Sequence, residues 1–249
     1  MGAVCFGEPI AASLGVDGSN YCHTCWRHAA AYVMSPPIRM DPSTPTTLVD
    51  LLSIGLLDLT GTDNCTFNAH QKALGKDDFR KIPNGVNGIE DRMSVIWEKA
   101  VHNGRMSKER FVEVTSTTAA RIFNCYPQKG VIAEGSDADI VIWNANATRT
   151  ISAKTHHHAV DFNIFEGQVV HGVPEITIAG GVIAYTREDD KFHVDLGHGK
   201  YVPRKPWAPY VYDRIISKEG DYQYKAVNRK PYEGPVLDLK SGEVKPYRA

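Results

Sequence analysis

The sequence predicts an α/β protein, and three observations lead to this prediction. Up to about residue 127, short apolar runs alternate with amphipathic helical stretches, and a charged residue follows the end of one run. This pattern is typical of a barrel or a doubly wound sheet, whose sites lie at the carboxyl ends of the strands. From residue 128 to about residue 200 the hydrophobic period becomes that of β-strands. Residues 201–249, rich in Pro, Tyr, Lys and Arg, predict an arm with little core of its own.

Composition limits the class of protein. The chain has 249 residues, of which 42% are hydrophobic and 23% charged, as in ordinary globular proteins. Its net charge is -1 without a basic cluster, which argues against binding to nucleic acid or a membrane surface. We expect no transmembrane helix and no secretory signal, because no apolar run approaches about 18 residues and no basic leader is present. Five scattered cysteines favour free thiols in a reducing, cytoplasmic compartment.

Helical spacing and proline positions define the elements of the first region. Pro36 and Pro37 end one helix, and Pro45 fits the first turn of the next. The predicted elements are a strand over 4–8, a loop over 9–22, a helix over 26–34, a helix over 45–54, a strand over 58–60, an amphipathic helix over 89–102, and two short helices over 107–114 and 116–123.

The β-rich region has one strong turn signal. Gly180 and Gly181 lie between two runs of β-branched residues, which predicts a hairpin. A further strand is predicted over 139–143. Residues 156–158 are three consecutive histidines, but adjacent side chains of an extended chain point to opposite faces, so we do not expect them to share an ion. The pair Cys22 and Cys25 is only half of a structural zinc site.

The strongest candidate for chemistry is Asp63, in the run TGTDNCTF over residues 60–67. No basic residue lies within four positions of Asp63, so local sequence offers it no salt-bridge partner. A carboxylate at a strand end is suited to metal ligation or to proton transfer. The alternative is that Asp63 only caps a turn or a helix.

The wider sequence resembles the dihydropyrimidinases from about residue 4 to residue 210. The resemblance rests on TGTDNCTF at 60–67, QKALGKDDF at 71–79, KIPNGVNGIEDRM at 81–93, GSDADIVIW at 135–143 and NIFEG at 163–167. It implies the C-terminal part of a TIM-type (β/α)8 barrel amidohydrolase over residues 1–127. Part of a small β-sandwich over 128–200 and a C-terminal arm over 201–249 would follow.

The same resemblance implies roles for three residues. Asp63 would be a zinc ligand and the catalytic proton shuttle. Ser35 and Asn84 would hold the substrate ring through their backbone groups. From the residues alone, Ser35 can equally be a plain helix stop before Pro36, and Asn84 can be part of a tight turn with Gly85.

The reaction implied is zinc-dependent hydrolysis of a cyclic amide in pyrimidine catabolism. A hydroxide bridging two zinc ions would open the ring of 5,6-dihydrouracil or dihydrothymine to give an N-carbamoyl β-amino acid. The family's His-x-His pair, carboxylated lysine and two further histidines have no counterparts here, and His156 with His158 lies in the wrong region. We therefore expect a fragment that is inactive alone and holds no stoichiometric zinc.

One alternative class and one assembly prediction complete the analysis. Collapsin response mediator proteins resemble the chain too, but are non-catalytic scaffolds with Gly or Ala at the position of Asp63, so Asp63 favours the enzyme. The resemblance implies a homotetramer of the full-length protein. The aromatic residues of the arm would then anchor it to a neighbouring subunit. They are Tyr201, Trp207, Tyr210 and Tyr212.

Overall fold

Short helices make up most of the first half of the chain. A computed structural model describes residues 4–195, 197–213, 229–238 and 240–245. The α-helices are α1 (Ala11–Gly15), α2 (Trp26–Ala31), α3 (Thr44–Ser53), α4 (Ala69–Lys72), α5 (Arg92–Ile96), α6 (Lys108–Val112) and α7 (Thr118–Ile122). Short 3-10 helices cover Gly18–Cys22, Ala73–Gly75 and Phe79–Lys81. Within the described ranges, no helix has the length and apolar character needed to cross a membrane.

The extended segments before α1 and after α3 lie side by side in parallel. An isolated parallel bridge joins Ile10 to Gly61, and the N–H of Ala11 donates to the carbonyl of Gly61 at 3.0 Å. The strands predicted for these two segments are wrong as strands, since the described residues form bridges there but no ladder. One cause is Pro9, which has no N–H to donate to a ladder. The parallel direction is nevertheless that of neighbouring strands in an α/β sheet.

Two predictions near the start of the chain are wrong in detail. The predicted loop over 9–22 contains α1, whose apolar residues are buried. The helix predicted over 26–34 ends at Ala31. Tyr32 is the C-cap residue of this helix, and its buried hydroxyl donates to the carbonyl of Ile164 at 2.8 Å. The helix predicted over 45–54 is confirmed as α3, with a proline in its first turn.

Two π turns lie in the helical region. One extends α5, and the other joins α6 to α7. Helix α5 continues into the π turn Trp97–His102, so the predicted helix over 89–102 begins three residues late, at Arg92. Ile89, the first residue of the predicted helix, precedes the observed helix and is 68% exposed. Helices α6 and α7 are joined by the π turn Glu113–Thr117 into one continuous run, and the break predicted between them is wrong. A π turn changes which residues face the core, which period-3.6 reasoning does not anticipate.

The second half of the chain contains a four-stranded antiparallel sheet. Its strands are β1 (Ile140–Thr150), β2 (Val169–Ala179), β3 (Val182–Thr186) and β4 (Lys191–Phe192), in that spatial order. The predicted hairpin is confirmed: Gly180 and Gly181 join β2 to β3, both with positive φ, as a two-residue turn of this kind requires. Strands β5 (Val236–Leu237) and β6 (Val244–Lys245) form a separate pair.

The buried apolar residues form two clusters, and helices α1 and α5 contribute to both. One cluster also includes Val170 of β2, so the sheet and the helices share a core. The first cluster consists of Ala11, Ala12, Ala31, Tyr32, Met34, Ile38, Val86, Val95, Ile151, Ile164, Phe165 and Val170. The second consists of Leu14, Val49, Leu52, Ile96, Trp97, Ala100, Met106, Phe111 and Val114.

Candidate functional site

Asp63 lies exposed at the end of the segment that pairs in parallel with residues before α1. Its φ is +48°, a left-handed conformation that Asp tolerates better than most residues. Among the residues that the structure describes, none makes a hydrogen bond or ion pair with its carboxylate. The carboxylate is therefore accessible and does not cap a turn. Arg92 fixes the preceding backbone, because its guanidinium donates to the carbonyl of Thr60 at 2.6 Å.

The residues that follow Asp63 tie it to the loop that contains Asn84. The side-chain oxygen of Asn64 accepts from the backbone N–H of Gly88 at 3.0 Å. The N–H of Cys65 donates to the carbonyl of Val86, also at 3.0 Å. A Cβ on Gly85 would lie 2.1 Å from the carbonyl oxygen of Cys65, so only glycine allows the two loops to approach this closely.

The structure brings Ser35 and Asn84 into direct contact. The Ser35 hydroxyl donates to the side-chain oxygen of Asn84 at 2.9 Å, although 49 residues separate them in the chain. Both line a cavity of about 610 Å³ with a largely apolar wall. The other lining residues are Tyr21, Trp26, Ala29, Ala30, Val33, Met34, Pro37, Phe79, Arg80 and Ile82. Asp63 does not line this cavity.

Lys72, which the sequence does not single out, holds the Ser35 and Asn84 loops together. It is only 3% exposed. Its ammonium donates to the carbonyl of Val33 at 2.9 Å and to that of Gly85 at 2.8 Å. Burial lowers the pKa of Lys72 to about 8, and the nearby Cys65 acts weakly in the opposite direction. The sequence around Lys72, in the short helix α4, does not indicate that this side chain points inward. Its position between the two loops depends on contacts with residues distant in the chain.

A second buried polar group supports the Asn84 loop from its other side. Asn87 donates to the side-chain oxygen of Asn163 at 3.0 Å and accepts from the N–H of Ile164 at 2.9 Å. Asn163 in turn donates to Asp91 at 2.7 Å, and Arg149 pairs with Asp91 at 2.8 Å. Because the side chains of Asn87, Asn163 and Asp91 all have partners, they can hold the loop rigidly without a large burial penalty.

The described residues do not assemble a hydrolytic zinc site around Asp63. Such a site needs at least three protein ligands. Within the described part of the chain, the group of His, Cys, Asp or Glu side chains close enough to share an ion is Glu98, His102 and His171, and Asp63 is not in it. Among the three consecutive histidines, His157 instead lies 3.1 Å from Glu90.

The chain belongs to the amidohydrolase family. The family model for amidohydrolases matches residues 43–183, more than half of the sequence. This match is consistent with an α/β fold that places polar residues at the ends of parallel segments.

Within this family the chain is similar to dihydropyrimidinases. It is 62% identical to a dihydropyrimidinase from Rattus norvegicus over 244 residues, covering 98% of this chain and 47% of that protein. It is 44% identical to dihydropyrimidinase-related protein 5 from Homo sapiens over 236 residues, covering 95% of this chain and 42% of that one. The resemblance read from the sequence is confirmed. The chain spans about half the length of the curated relatives that it matches.

Solved structures give the same result. A dihydropyrimidinase from Brevibacillus agri superposes with a TM-score of 0.78 at 41% identity, covering 82% of this chain and 43% of that one. A D-hydantoinase (dihydropyrimidinase) from Thermus sp. has a TM-score of 0.77 at 39% identity, covering 81% and 43%. These similarities confirm the α/β class of the fold.

Proposed function

We propose that this chain is the C-terminal half of a dihydropyrimidinase that hydrolyses the ring amide of 5,6-dihydrouracil or dihydrothymine to an N-carbamoyl β-amino acid. The observation that carries the proposal is the 62% identity to a dihydropyrimidinase along 98% of the chain. In this proposal residues 1–127 are the last part of a TIM-type barrel, residues 128–200 belong to a β-sandwich, and residues 201–249 are a subunit-contacting arm.

The three candidate residues take separate roles. The backbone groups of Ser35 and Asn84 bind the polar edge of the ring, and the contact between their side chains keeps the two backbone segments at a fixed spacing. Asp63 accepts a proton from the attacking water and delivers it to the ring nitrogen as the C–N bond breaks. An exposed carboxylate without a competing partner is suited to both transfers.

The metal of this enzyme family would need ligands from outside this chain. Two zinc ions would make the attacking hydroxide available near neutral pH. Asp63 would contribute one ligand, and one carboxylate is too few for a zinc site. We therefore assign no metal-dependent step to this chain and expect it to be inactive on its own.

The alternative class is a non-catalytic scaffold of the collapsin response mediator type. The 44% identity to a dihydropyrimidinase-related protein, against 62% to a dihydropyrimidinase, favours the enzyme. Asp63 favours it as well, because the scaffold needs no exposed carboxylate at that position. Free, exposed cysteines such as Cys22 and Cys65 fit a reducing, cytoplasmic location. The full-length protein is proposed to be a homotetramer.

The proposed function is tested by assaying ring opening with the full-length protein that contains this sequence. Loss of 5,6-dihydrouracil and formation of its N-carbamoyl product are followed together. The enzyme proposal predicts turnover by the full-length protein and none by this chain alone. Absence of turnover by the zinc-loaded full-length protein would instead support the scaffold.

A further inference from the structure

Glu98, His102 and His171 lie together where the helical half of the chain meets the sheet. Glu98 and His102 are four residues apart in the π turn Trp97–His102, so they share one face of the helix. His171 lies on strand β2, next to the buried Val170. The three residues come from segments 73 residues apart, which is why sequence spacing does not reveal them.

A glycine makes this approach of helix and strand possible. Gly172 has a φ of +76°, and a Cβ at this position would lie 2.5 Å from the Trp97 ring. Without that Cβ, the Trp97 ring packs directly against the backbone of β2. Glu98, the next residue along the helix, then reaches the residue before the glycine, His171.

The contacts within the cluster are short. The Glu98 carboxylate accepts from the backbone N–H of His171 at 2.7 Å and lies 2.9 Å from its Nδ1. The rings of His102 and His171 stack in parallel, with centroids 3.7 Å apart and planes at 5°. One ligand atom from each of the three residues lies within 4.8 Å of the other two.

We propose that Glu98, His102 and His171 form a binding site for a divalent transition-metal ion of the Zn²⁺ class, which links the helix to strand β2. Imidazole nitrogens and a carboxylate oxygen are ligands that such ions bind at about 2.0–2.2 Å. Two ligands of one ion are then at most about 4.4 Å apart. Because an ion lies close to the plane of each imidazole that ligates it, the parallel His102 and His171 rings must leave their stack before both can bind. The exposed His102 side chain has room to rotate its ring toward the ion.

The coordination would leave part of the site open to water. Glu98 has a second carboxylate oxygen, so it can keep its bond to the His171 backbone while ligating the ion. Because His102 is exposed, solvent can fill the remaining position. At this site the proposal replaces the expectation from the sequence that the isolated chain holds no stoichiometric zinc. The site does not use Asp63, Ser35 or Asn84.

The test is direct measurement of metal binding by this chain. Zn²⁺ alone is titrated into the metal-free chain by calorimetry, and Co²⁺ is used as a spectroscopic probe of the ligand set. We expect one ion per chain, with a Co²⁺ spectrum typical of nitrogen and oxygen ligands. His102→Ala and His171→Ala should each weaken metal binding by about tenfold or more. Removing a residue that only orients a metal ligand already costs about tenfold in affinity, and removing the ligand itself should cost at least as much.

Two further variants keep the test decisive. Glu98→Gln retains an acceptor for the His171 N–H but loses the charged ligand, and it should weaken binding while the metal-free circular dichroism stays unchanged. His23→Ala is the matched control, since His23 lies beside the free Cys22 and Cys25 and is outside the cluster. Binding that is lost in His23→Ala but retained in His171→Ala would overturn the proposal. A Co²⁺ spectrum with thiolate charge-transfer bands would overturn it as well.

Discussion

At the scale of single residues, the burial of Lys72 determines how the proposed ring-binding loops are held. Its ammonium connects the carbonyl of Val33, two residues before Ser35, with that of Gly85, the residue after Asn84. The sequence indicates the loops through their proline and Asn-Gly signals. It does not indicate the lysine that joins them, because both contacts are long-range.

The depressed pKa of Lys72 predicts a specific pH dependence of stability. Its pKa is about 8 in the folded chain, against 10.5 for an unperturbed lysine. Between these values the unfolded chain binds more protons than the folded chain, so the free energy of unfolding rises with pH. We expect the free energy of unfolding, measured with urea, to rise by about 1–3 kcal/mol between pH 8 and pH 10.5. This range follows from the pKa difference, since one pKa unit corresponds to about 1.4 kcal/mol.

The control for this prediction is Lys72→Met, which removes the titrating group but retains a long apolar stem. The rise in this pH range should largely disappear in the variant. An equal rise in both proteins would show that Lys72 stays fully charged in the folded chain.

At the scale of elements, local sequence signals predict regular helices and hairpins, and they fail where a helix changes from α to π geometry. Helix α3 and the β2–β3 hairpin follow from a proline and from a Gly-Gly pair, both local signals. The π turns do not follow, because each depends on what the helix packs against. Trp97 opens one of these turns and packs edge-on against Phe111, with ring centroids 5.0 Å apart.

The contact between helix and sheet predicts an unequal effect of two glycine substitutions. Gly172→Ala should lower the free energy of unfolding by about 2–4 kcal/mol, because positive φ and a clash with Trp97 act together. Gly104→Ala has a similar φ, +70° against +76°, but its Cβ would meet nothing within 4 Å, so only about 1–2 kcal/mol is expected. Equal losses, measured by urea unfolding, would show that the Trp97–Gly172 contact is not tight.

At the scale of the whole molecule, an aromatic residue of the arm contacts the start of the same chain. Of the four aromatic residues expected to anchor the arm, Tyr210 stacks on Phe6 of the same chain, with ring centroids 5.8 Å apart. Tyr201 and Trp207 are 85% and 72% exposed. The contact of the arm with a second subunit stays a prediction, and these two exposed rings are the candidates for making it.

Removal of the arm is expected to weaken assembly. Deleting residues 205–249 from the full-length protein should shift light-scattering mass toward smaller species and lower the thermal midpoint, since buried aromatic anchors would be lost. The double variant Tyr201→Ala/Trp207→Ala should act in the same direction. Phe79→Ala, which removes an exposed aromatic residue outside the arm, should leave the mass unchanged. An intact oligomer after the deletion would exclude a docking role.

The central claim concerns Asp63, and ring opening by an Asp63→Asn variant of the full-length protein tests it most directly. An amide of the same size cannot accept the proton, so kcat for 5,6-dihydrouracil should fall by about 100-fold or more, while folding is retained. Asp77→Asn, which alters an exposed Asp outside the proposed site, should keep its activity. Near wild-type turnover by Asp63→Asn, with its metal content unchanged, would contradict the proposed role.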